Sequence, residues 1–356
     1  MKKILYVVPS ITKNNGIITF LYNYISNKNL INEFEYTIFS SDKQDKEVVD
    51  LFKALGVKIY FYNMNLRPVK KFINSIKLFY KYNKFDIVHI NLAATAYFHI
   101  KYVKRYNKEA KIIMHSHNTK LSSNKKKAIV GSLLYSLCKN KIDYRFACSA
   151  AAGKYLYKNK DFIIIYNALS NDSIIEGENL RSKYNIGSNK ILVGLVGRVT
   201  DQKNPFYIFE LASRLENNVF IIIGNGDRLD SMKQYALENN FNNVIFLGSV
   251  EDAKVLFYNF DFIVMPSLYE GLPLVALEAQ QQHIFTILST NITKEVEISN
   301  YSKFIPLYDL DAWVETLKTK INYRFKFNDE YDNYNIDMQA TRLKNLYLDI
   351  LGENYE

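Results

Sequence analysis

The sequence predicts an α/β fold made of two doubly wound domains. Three observations predict it. Short apolar runs alternate with amphipathic stretches along the chain, the cycle restarts after a polar break near residue 170, and 356 residues are enough for two cores. A hydrophobic content of 48% with 23% charged residues excludes a disordered chain. No apolar run approaches the ~20 residues that span a bilayer. The opening MKKILYVVPS has too short an apolar stretch for a secretory leader and reads as a first buried strand. Cys138 and Cys148 imply no disulfide framework, which fits a reducing cytoplasm.

Strands are expected at 3–8, 35–40, 57–63, 86–92, 111–117, 144–149 and 162–169. Helical stretches such as FLYNYISNK, VVDLFKALG, VKKFINSIKLFYKY and YFHIKYVKRY separate them. Apolar runs bounded by polar helices are the mark of parallel strands covered on both faces, hence of a doubly wound sheet. The polar stretch SNDSIIEGENLRSKYNIGS, around residues 170–188, reads as the link. Strands then recur at 191–197, 219–226, 243–249, 262–267, 285–290 and 303–308. Between 335 and 351, Ile336, Met338, Leu343, Leu346, Tyr347 and Ile350 follow helical spacing, which predicts an amphipathic closing helix. The expected domains are residues 1–170 and 171–334, with residues 335–356 packing back on the first.

Charge is split unevenly. Residues 1–170 carry 29 Lys and Arg against 10 Asp and Glu, a net of +19, whereas residues 171–356 carry 17 against 26, a net of −9. Nucleic acid, an acidic lipid headgroup or a pyrophosphate-linked substrate would each suit the basic half, and a plain abundance of Lys is the simpler reading. The 28 tyrosines are scattered rather than interleaved with base-reading residues, so no nucleic-acid partner is expected. In KLSSNKKKAIVGSLLYSLCKNK (120–141), Lys125, Lys126 and Lys127 adjoin an apolar stretch. Such a segment fits an interfacial helix on an anionic membrane, or a core-facing helix with a basic flank.

The chemistry concentrates in two places. In SLYEGLPLVALEAQ (267–280), Ser267 ends a strand, Gly271 permits a tight approach and Pro273 suits a helix start. Glu278 lies about five residues into that helix, roughly 7–8 Å along its axis. Free backbone N–H groups near 272–275 thus stand between two carboxylates, and a helix N-terminus suits phosphate. The spacing fits a nucleoside-diphosphate sugar, with Glu278 on the ribose diol and Glu270 on the hexose hydroxyls. It equally fits a solvated loop residue and an ordinary helix residue. In VGLVGRVTDQKNPF, Arg198 follows a strand, Lys203 sits in the loop and Asn204-Pro205 starts a helix. Two cations at the carboxyl end of a parallel strand could neutralise a diphosphate, Arg as a planar fork and Lys as a point charge.

With these residues in place, the chain resembles the retaining nucleotide-sugar glycosyltransferases of family four, glycosyltransferase group 1, and among them the capsular and exopolysaccharide enzymes. The carrying segments are GIITF (16–20), HSHN (115–118), IYNAL (165–169), GRVTDQKN (197–204), GNGD (224–227), VIFLGSV (244–250), EGLPLVALEAQ (270–280) and TKEVE (293–297). The resemblance implies a GT-B fold, two Rossmann-like domains facing across a cleft. It implies transfer of a hexose from an NDP-sugar, a UDP-sugar above all, to a sugar hydroxyl of an oligosaccharide or an undecaprenyl-diphosphate-linked glycan. No cofactor and no metal would be needed. Arg198 and Lys203 would hold the diphosphate, Glu278 the ribose and Glu270 the transferred sugar. Gly271, Leu272, Pro273, Leu274 and Val275 would line sugar and phosphate, and Val250 would lie near the base. Gly16 would approach the β-phosphate. His117 would sit beside the reacting sugar, with His115 as the competing candidate; His89 and His99 read as packing residues. The leaving β-phosphate itself could take the acceptor's proton, which makes Glu270 a positioning residue.

The chain departs from the family pattern twice. Asn15-Gly16 and Ile18 stand where a Gly-Gly pair and a Glu are common, and Gln281 to Phe285 replace the usual small residues. Paired glutamates could also serve a glycoside hydrolase or phosphorylase, whose carboxylates flank one bond roughly 5–9.5 Å apart. A simple hydrolase has no use for the Arg-Lys phosphate site. The only Asp-x-Asp, Asp309-Leu310-Asp311, reads as a helix cap rather than a metal site.

Overall fold

The computed structural model describes residues 1–13, 15–41, 44–62, 69–92, 95–118, 125–169, 177–322 and 324–353, with no account of the side chains of residues 69, 125–127 and 330. Lys120 and the segment 120–124 of the expected interfacial helix, and residues 170–176 of the expected link, lie outside the described residues. The chain divides into two compact units: Met1–Ser170 with Asn333–Glu356, and Asn171–Asp332.

The first unit holds a seven-stranded, all-parallel sheet. Its strands are β1 (Lys2–Val8), β2 (Phe34–Ser40), β3 (Lys58–Phe61), β4 (Ile87–Ile90), β5 (Lys111–Ser116), β6 (Tyr144–Ala147) and β7 (Ile163–Ile164). The spatial order is β3-β2-β1-β4-β5-β6-β7, so the winding reverses between β1 and β4. Alternate residues of β1 feed the two cores: Ile4, Tyr6 and Val8 enter one, Leu5 and Val7 the other. That double burial explains why the strand reads as a continuous apolar run. The helix Ile336–Leu351 belongs to this unit and buries Ile336, Ala340, Leu343, Tyr347 and Ile350 in the first of those cores.

The second unit repeats the plan with β8 (Ile191–Val196), β9 (Asn218–Ile223), β10 (Val244–Gly248), β11 (Phe262–Met265), β12 (Phe285–Ser289) and β13 (Ser302–Ile305). Its six strands are parallel in the order β10-β9-β8-β11-β12-β13, with the reversal between β8 and β11. Of the stretch read as a link, residues 177–188 dock here: Gly177 N–H donates to the Val255 carbonyl and Leu180 N–H to Asn259 Oδ1.

All thirteen expected stretches contain a strand. One is much shorter than expected, since β7 spans only Ile163–Ile164 of the apolar run 162–169. Beyond Ile165 the backbone finds other partners: Tyr24 Oη–H donates to the Tyr166 carbonyl, Asn23 Nδ2 to that of Ala168, and Leu169 N–H to the Tyr334 carbonyl. Asp309 caps the helix Leu310–Leu317, its side chain accepting from Ala312 N–H, while Asp311 pairs with Arg214. Cys138 and Cys148 are both buried, and neither forms a disulfide among the described residues. Among the described residues no helix is long and apolar enough to cross a membrane.

A close crossing shapes the second sheet's edge. Gly224 has φ +138°, and a Cβ there would lie 1.9 Å from the Gly197 carbonyl oxygen. Gly224→Ala should therefore destabilise this unit by at least ~2 kcal/mol, through strain and a clash with rigid backbone. Urea unfolding followed by the fluorescence of Trp313, the only tryptophan of the chain, measures it.

Candidate functional site

In both sheets the strands run parallel, so their carboxyl ends share one edge. An open α/β sheet leaves a crevice on that edge where the winding reverses. In the second unit the reversal separates β8 from β11. Arg198 and Lys203 follow β8, and Ser267 to Glu270 follow β11. The two chemically marked segments, far apart in sequence, therefore meet at the switch point.

Lys203 and Glu270 meet directly, with Nζ 2.6 Å from Oε1, and both side chains are largely buried. Gln202 adds a second tie, its Nε2 donating to Glu270 Oε2 at 3.2 Å and to the Tyr269 carbonyl at 3.1 Å. Leu268 N–H returns a bond to the Gln202 carbonyl. Arg198, two residues past the end of β8, is exposed, and none of the ion pairs among the described residues includes it. The loop behind is fixed by Asp201, which takes a two-pronged ion pair from Arg228 at 2.5 and 2.8 Å. That guanidinium holds the Asp201 carboxyl below its ordinary range.

After Glu270 the chain turns into the helix Leu274–Gln281, with Pro273 as its N-cap rather than its first residue. Gly271, Leu272, Pro273 and Leu274 are buried. The N–H groups of Leu274 and Val275 have no acceptor within the helix, because the first turn lacks a preceding carbonyl. Glu278 lies on the fifth position of this helix. Burial pushes its carboxyl up to about 7, with Lys254 pulling down and Asp252 pushing up. Val250 follows β10, partly exposed. The unusual helix end is filled rather than open. His283 adopts φ +61° and stacks on Phe325, and the buried Gln280 bonds the Val296 carbonyl and Ser299.

In the first unit, Gly16 begins the helix Gly16–Ile25 after β1, and a Cβ there would meet nothing within 4 Å. His115, next to last in β5, is fully buried, and His117 lies just past the strand, partly exposed. The two imidazoles sit 4.0 Å apart, both edge-on to Phe20. His117 Nε2 bonds Asn91 Oδ1 at 2.8 Å, and His115 Nδ1 bonds His89 Nε2 at 3.1 Å. His99 is a packing residue, bonded to Tyr80 at 2.9 Å and buried. Burial lowers all four imidazoles, His99 and His117 to about 3. Among the described residues no three His, Cys, Asp or Glu side chains cluster as metal ligands.

Sequence reasoning assigned no role to Gln202, Asn91 or Tyr347. Gln202 carried a signal, since it sits between Asp201 and Lys203 in a segment already singled out. Asn91 and Tyr347 carried none, because their neighbours are set by strand order and helix docking.

Comparison with known proteins now identifies the second unit. Residues 176–335 match the family described as "Glycosyl transferases group 1". That match spans nearly all of the second unit. The chain is 31% identical over 180 residues to the UDP-Gal:alpha-D-GlcNAc-diphosphoundecaprenol alpha-1,3-galactosyltransferase of Escherichia coli, an alignment that spans 46% of each protein and so less than half of that relative. It is 24% identical over 373 residues to the O-antigen biosynthesis glycosyltransferase WclY of Escherichia coli, covering 99% of both chains. Anabaena HepE, solved in complex with UDP and glucose, superposes with a TM-score of 0.72 at 14% identity, covering 99% of this chain and 97% of that one. The two Rossmann-like units thus form the GT-B fold.

The displaced ionisations of the first unit's imidazoles and of Glu278 have opposite signs. For His99 and His117, a folded-state value near 3 against an ordinary 6.5 means the folded first unit binds fewer protons, so acidification from pH 6.5 towards 3 costs it stability. For Glu278, a folded value near 7 against 4.5 means the folded second unit binds more, so acidification from pH 7 to 4.5 stabilises it. Each such group contributes up to ~1.4 kcal/mol per pH unit. Between pH 6.5 and 5, the urea midpoint read by Trp313 should hold or rise while the midpoint of the first unit, followed by far-UV circular dichroism, falls.

Proposed function

We propose that this chain is a retaining hexosyltransferase, taking its sugar from a UDP-sugar without a metal and extending a lipid-diphosphate-linked glycan in cell-surface polysaccharide assembly. The observation that carries the reading is the Lys203–Glu270 pair at the switch point, with the exposed Arg198 on the same loop after β8 and the open first turn of the helix Leu274–Gln281 just after Glu270. A diphosphate entering there would replace Glu270 as the partner of Lys203. Glu270, released, would accept hydroxyls of the transferred sugar. Until then the pair keeps two largely buried charges neutralised, which matters because an unpaired buried charge costs several kcal/mol.

Cleavage of the sugar–phosphate bond moves negative charge onto the leaving diphosphate. Arg198, Lys203 and the N–H groups of Leu274 and Val275 would meet that charge as it grows, already oriented. The leaving β-phosphate would take the acceptor's proton on the same face, so configuration is retained. Glu278, ionised, would accept the ribose diol, with Val250 towards the base. Gly16 starts the helix after β1, and the open space around its missing Cβ suits a ligand better than a packing demand. The activity of the galactosyltransferase relative and the UDP and glucose held by the structural neighbour support the UDP and lipid-diphosphate readings.

Radiolabelled UDP- and GDP-sugars, with a short lipid-diphosphate glycan and a chelator, should show transfer from the UDP donor. Proton NMR of the product should show the donor's anomeric configuration. Glu270→Gln should lower kcat roughly hundredfold, and Lys203→Ala should also raise the donor KM. Undiminished transfer by both variants, or an inverted product, overturns the assignment.

A membrane-borne acceptor would bring the enzyme to a bilayer. The helix Lys125–Cys138 leaves Ile129 and Leu133 exposed by 70% and 63%, with Val130 and Leu137 beside them. Between Glu109 and Asp143 the sequence holds seven Lys and no acidic residue. An apolar face with a purely basic border complements an anionic headgroup surface. In a flotation assay the protein should rise with phosphatidylglycerol vesicles and not with phosphatidylcholine ones, and Leu133→Glu should reduce that fraction. Sedimentation away from both lipids removes the membrane contact.

A further inference from the structure

The mechanism above uses none of a chain of buried polar groups in the first unit. Tyr6 on β1 and Tyr347 on the closing helix Ile336–Leu351 share a hydrogen bond between their hydroxyls at 2.8 Å. Tyr347 Oη lies 2.6 Å from His89 Nδ1, and His89 Nε2 lies 3.1 Å from His115 Nδ1. All four residues are buried, and His115 Nε2 has no hydrogen-bond partner among the described residues. Burial keeps the phenols protonated and the imidazoles neutral. Each imidazole therefore carries one N–H, and protons can be laid along the chain in only two consistent ways.

In the first, Tyr6 donates to Tyr347, Tyr347 to His89 Nδ1, and His89 Nε2–H to His115 Nδ1. One buried group is left over, the N–H on His115 Nε2. In the second every bond is reversed. His115 Nε2 is then an orphaned lone pair and the Tyr6 hydroxyl an orphaned donor, two unsatisfied groups instead of one. Each orphan costs about 1–3 kcal/mol, so the first arrangement wins. It also places the acidic O–H on the more basic imidazole nitrogen, in keeping with the short 2.6 Å contact.

His117 is fixed through the same anchor. Asn91 Nδ2 donates to the His89 carbonyl at 3.3 Å, which turns Asn91 Oδ1 towards His117 Nε2. An amide oxygen only accepts, so His117 Nε2 carries the proton and Nδ1 is a lone pair. A lone pair accepts from a hydroxyl and repels a phosphate oxygen.

We propose that Tyr347 is a positioning residue: through His89 it locks His115 as the Nε2–H tautomer and so holds the ring against which His117 packs, while Asn91 keeps Nδ1 of His117 as the acceptor for a sugar hydroxyl. The hydroxyl ligand rests on the transferase reading; the tautomer assignment does not. The closing helix, more than 200 residues away in sequence, thereby sets the protonation pattern at the end of β5.

Tyr6→Phe and Tyr347→Phe remove one buried hydroxyl each from the same core, and only the second breaks the relay. Nitrogen-15 NMR of histidine-labelled full-length protein at neutral pH should show His89, His115 and His117 as Nε2–H tautomers. Tyr6→Phe should keep that pattern. Tyr347→Phe leaves an equal number of orphans in either arrangement, so His89 and His115 should populate both tautomers. In transfer assays Tyr347→Phe should lower kcat about tenfold with the donor KM within about twofold, while Tyr6→Phe should stay within about twofold on both. An Nδ1–H tautomer of His89 in the unsubstituted protein overturns the proposal without any variant, as does an unchanged tautomer pattern in Tyr347→Phe. Absence of transfer with the tautomers as stated defeats the transferase reading and leaves the relay standing.

Discussion

The ion pair between Lys203 and Glu270 is the constraint on which the second unit's edge depends. It joins the loop after β8 to the loop after β11, the two strands between which the winding reverses. Gln202 and the Leu268 backbone reinforce the same join, and the Asp201–Arg228 pair anchors the loop from its other side. A charge buried alone would be costly; held against its opposite, each is kept desolvated and in position. Such a pair keeps both charges compensated at the point where the winding reverses. The proposed diphosphate would take over the Lys203 half of it. That combination is what a diphosphate site at a helix N-terminus requires.

The first unit uses burial differently. Two phenols and two imidazoles form a continuous hydrogen-bonded thread through a core of aliphatic and aromatic side chains. In low dielectric such a thread is tolerated only if its bonds are nearly all made, and a nearly complete thread admits one proton arrangement. The polar groups therefore specify orientation rather than add stability. Both units place their marked residues at the carboxyl edge beside the switch point, and they do so with opposite chemistry: paired ions in one, neutral hydrogen-bonding rings in the other.

Much of this was legible in the sequence. Strand positions followed from apolar runs buried on both faces, and the Arg-Lys and Glu-Glu segments stood out by residue type and spacing. The helix Leu274–Gln281 and the Asp309 cap were likewise visible, because capping and periodicity are local properties. Where expectation and structure parted, local propensity lost to long-range partners. The run 162–169 has strand composition, yet its last residues leave the sheet because Tyr24, Asn23 and Tyr334 supply their hydrogen bonds. Gly224 stood in the sequence only as part of the GNGD segment, and its close approach to the Gly197 carbonyl gives it a steric reason.

By itself the sequence determined the periodicity, the order of the strands along the chain and the kinds of charged residue near their ends. These are encoded within a few residues of where they act. Only the tertiary structure decided that Lys203 meets Glu270, that the Glu278 carboxyl is buried to a value near 7, and that Tyr347 reaches His89 across 258 positions. Pairing and desolvation depend on which strands become neighbours and which helix covers them, and no local spacing carries that information.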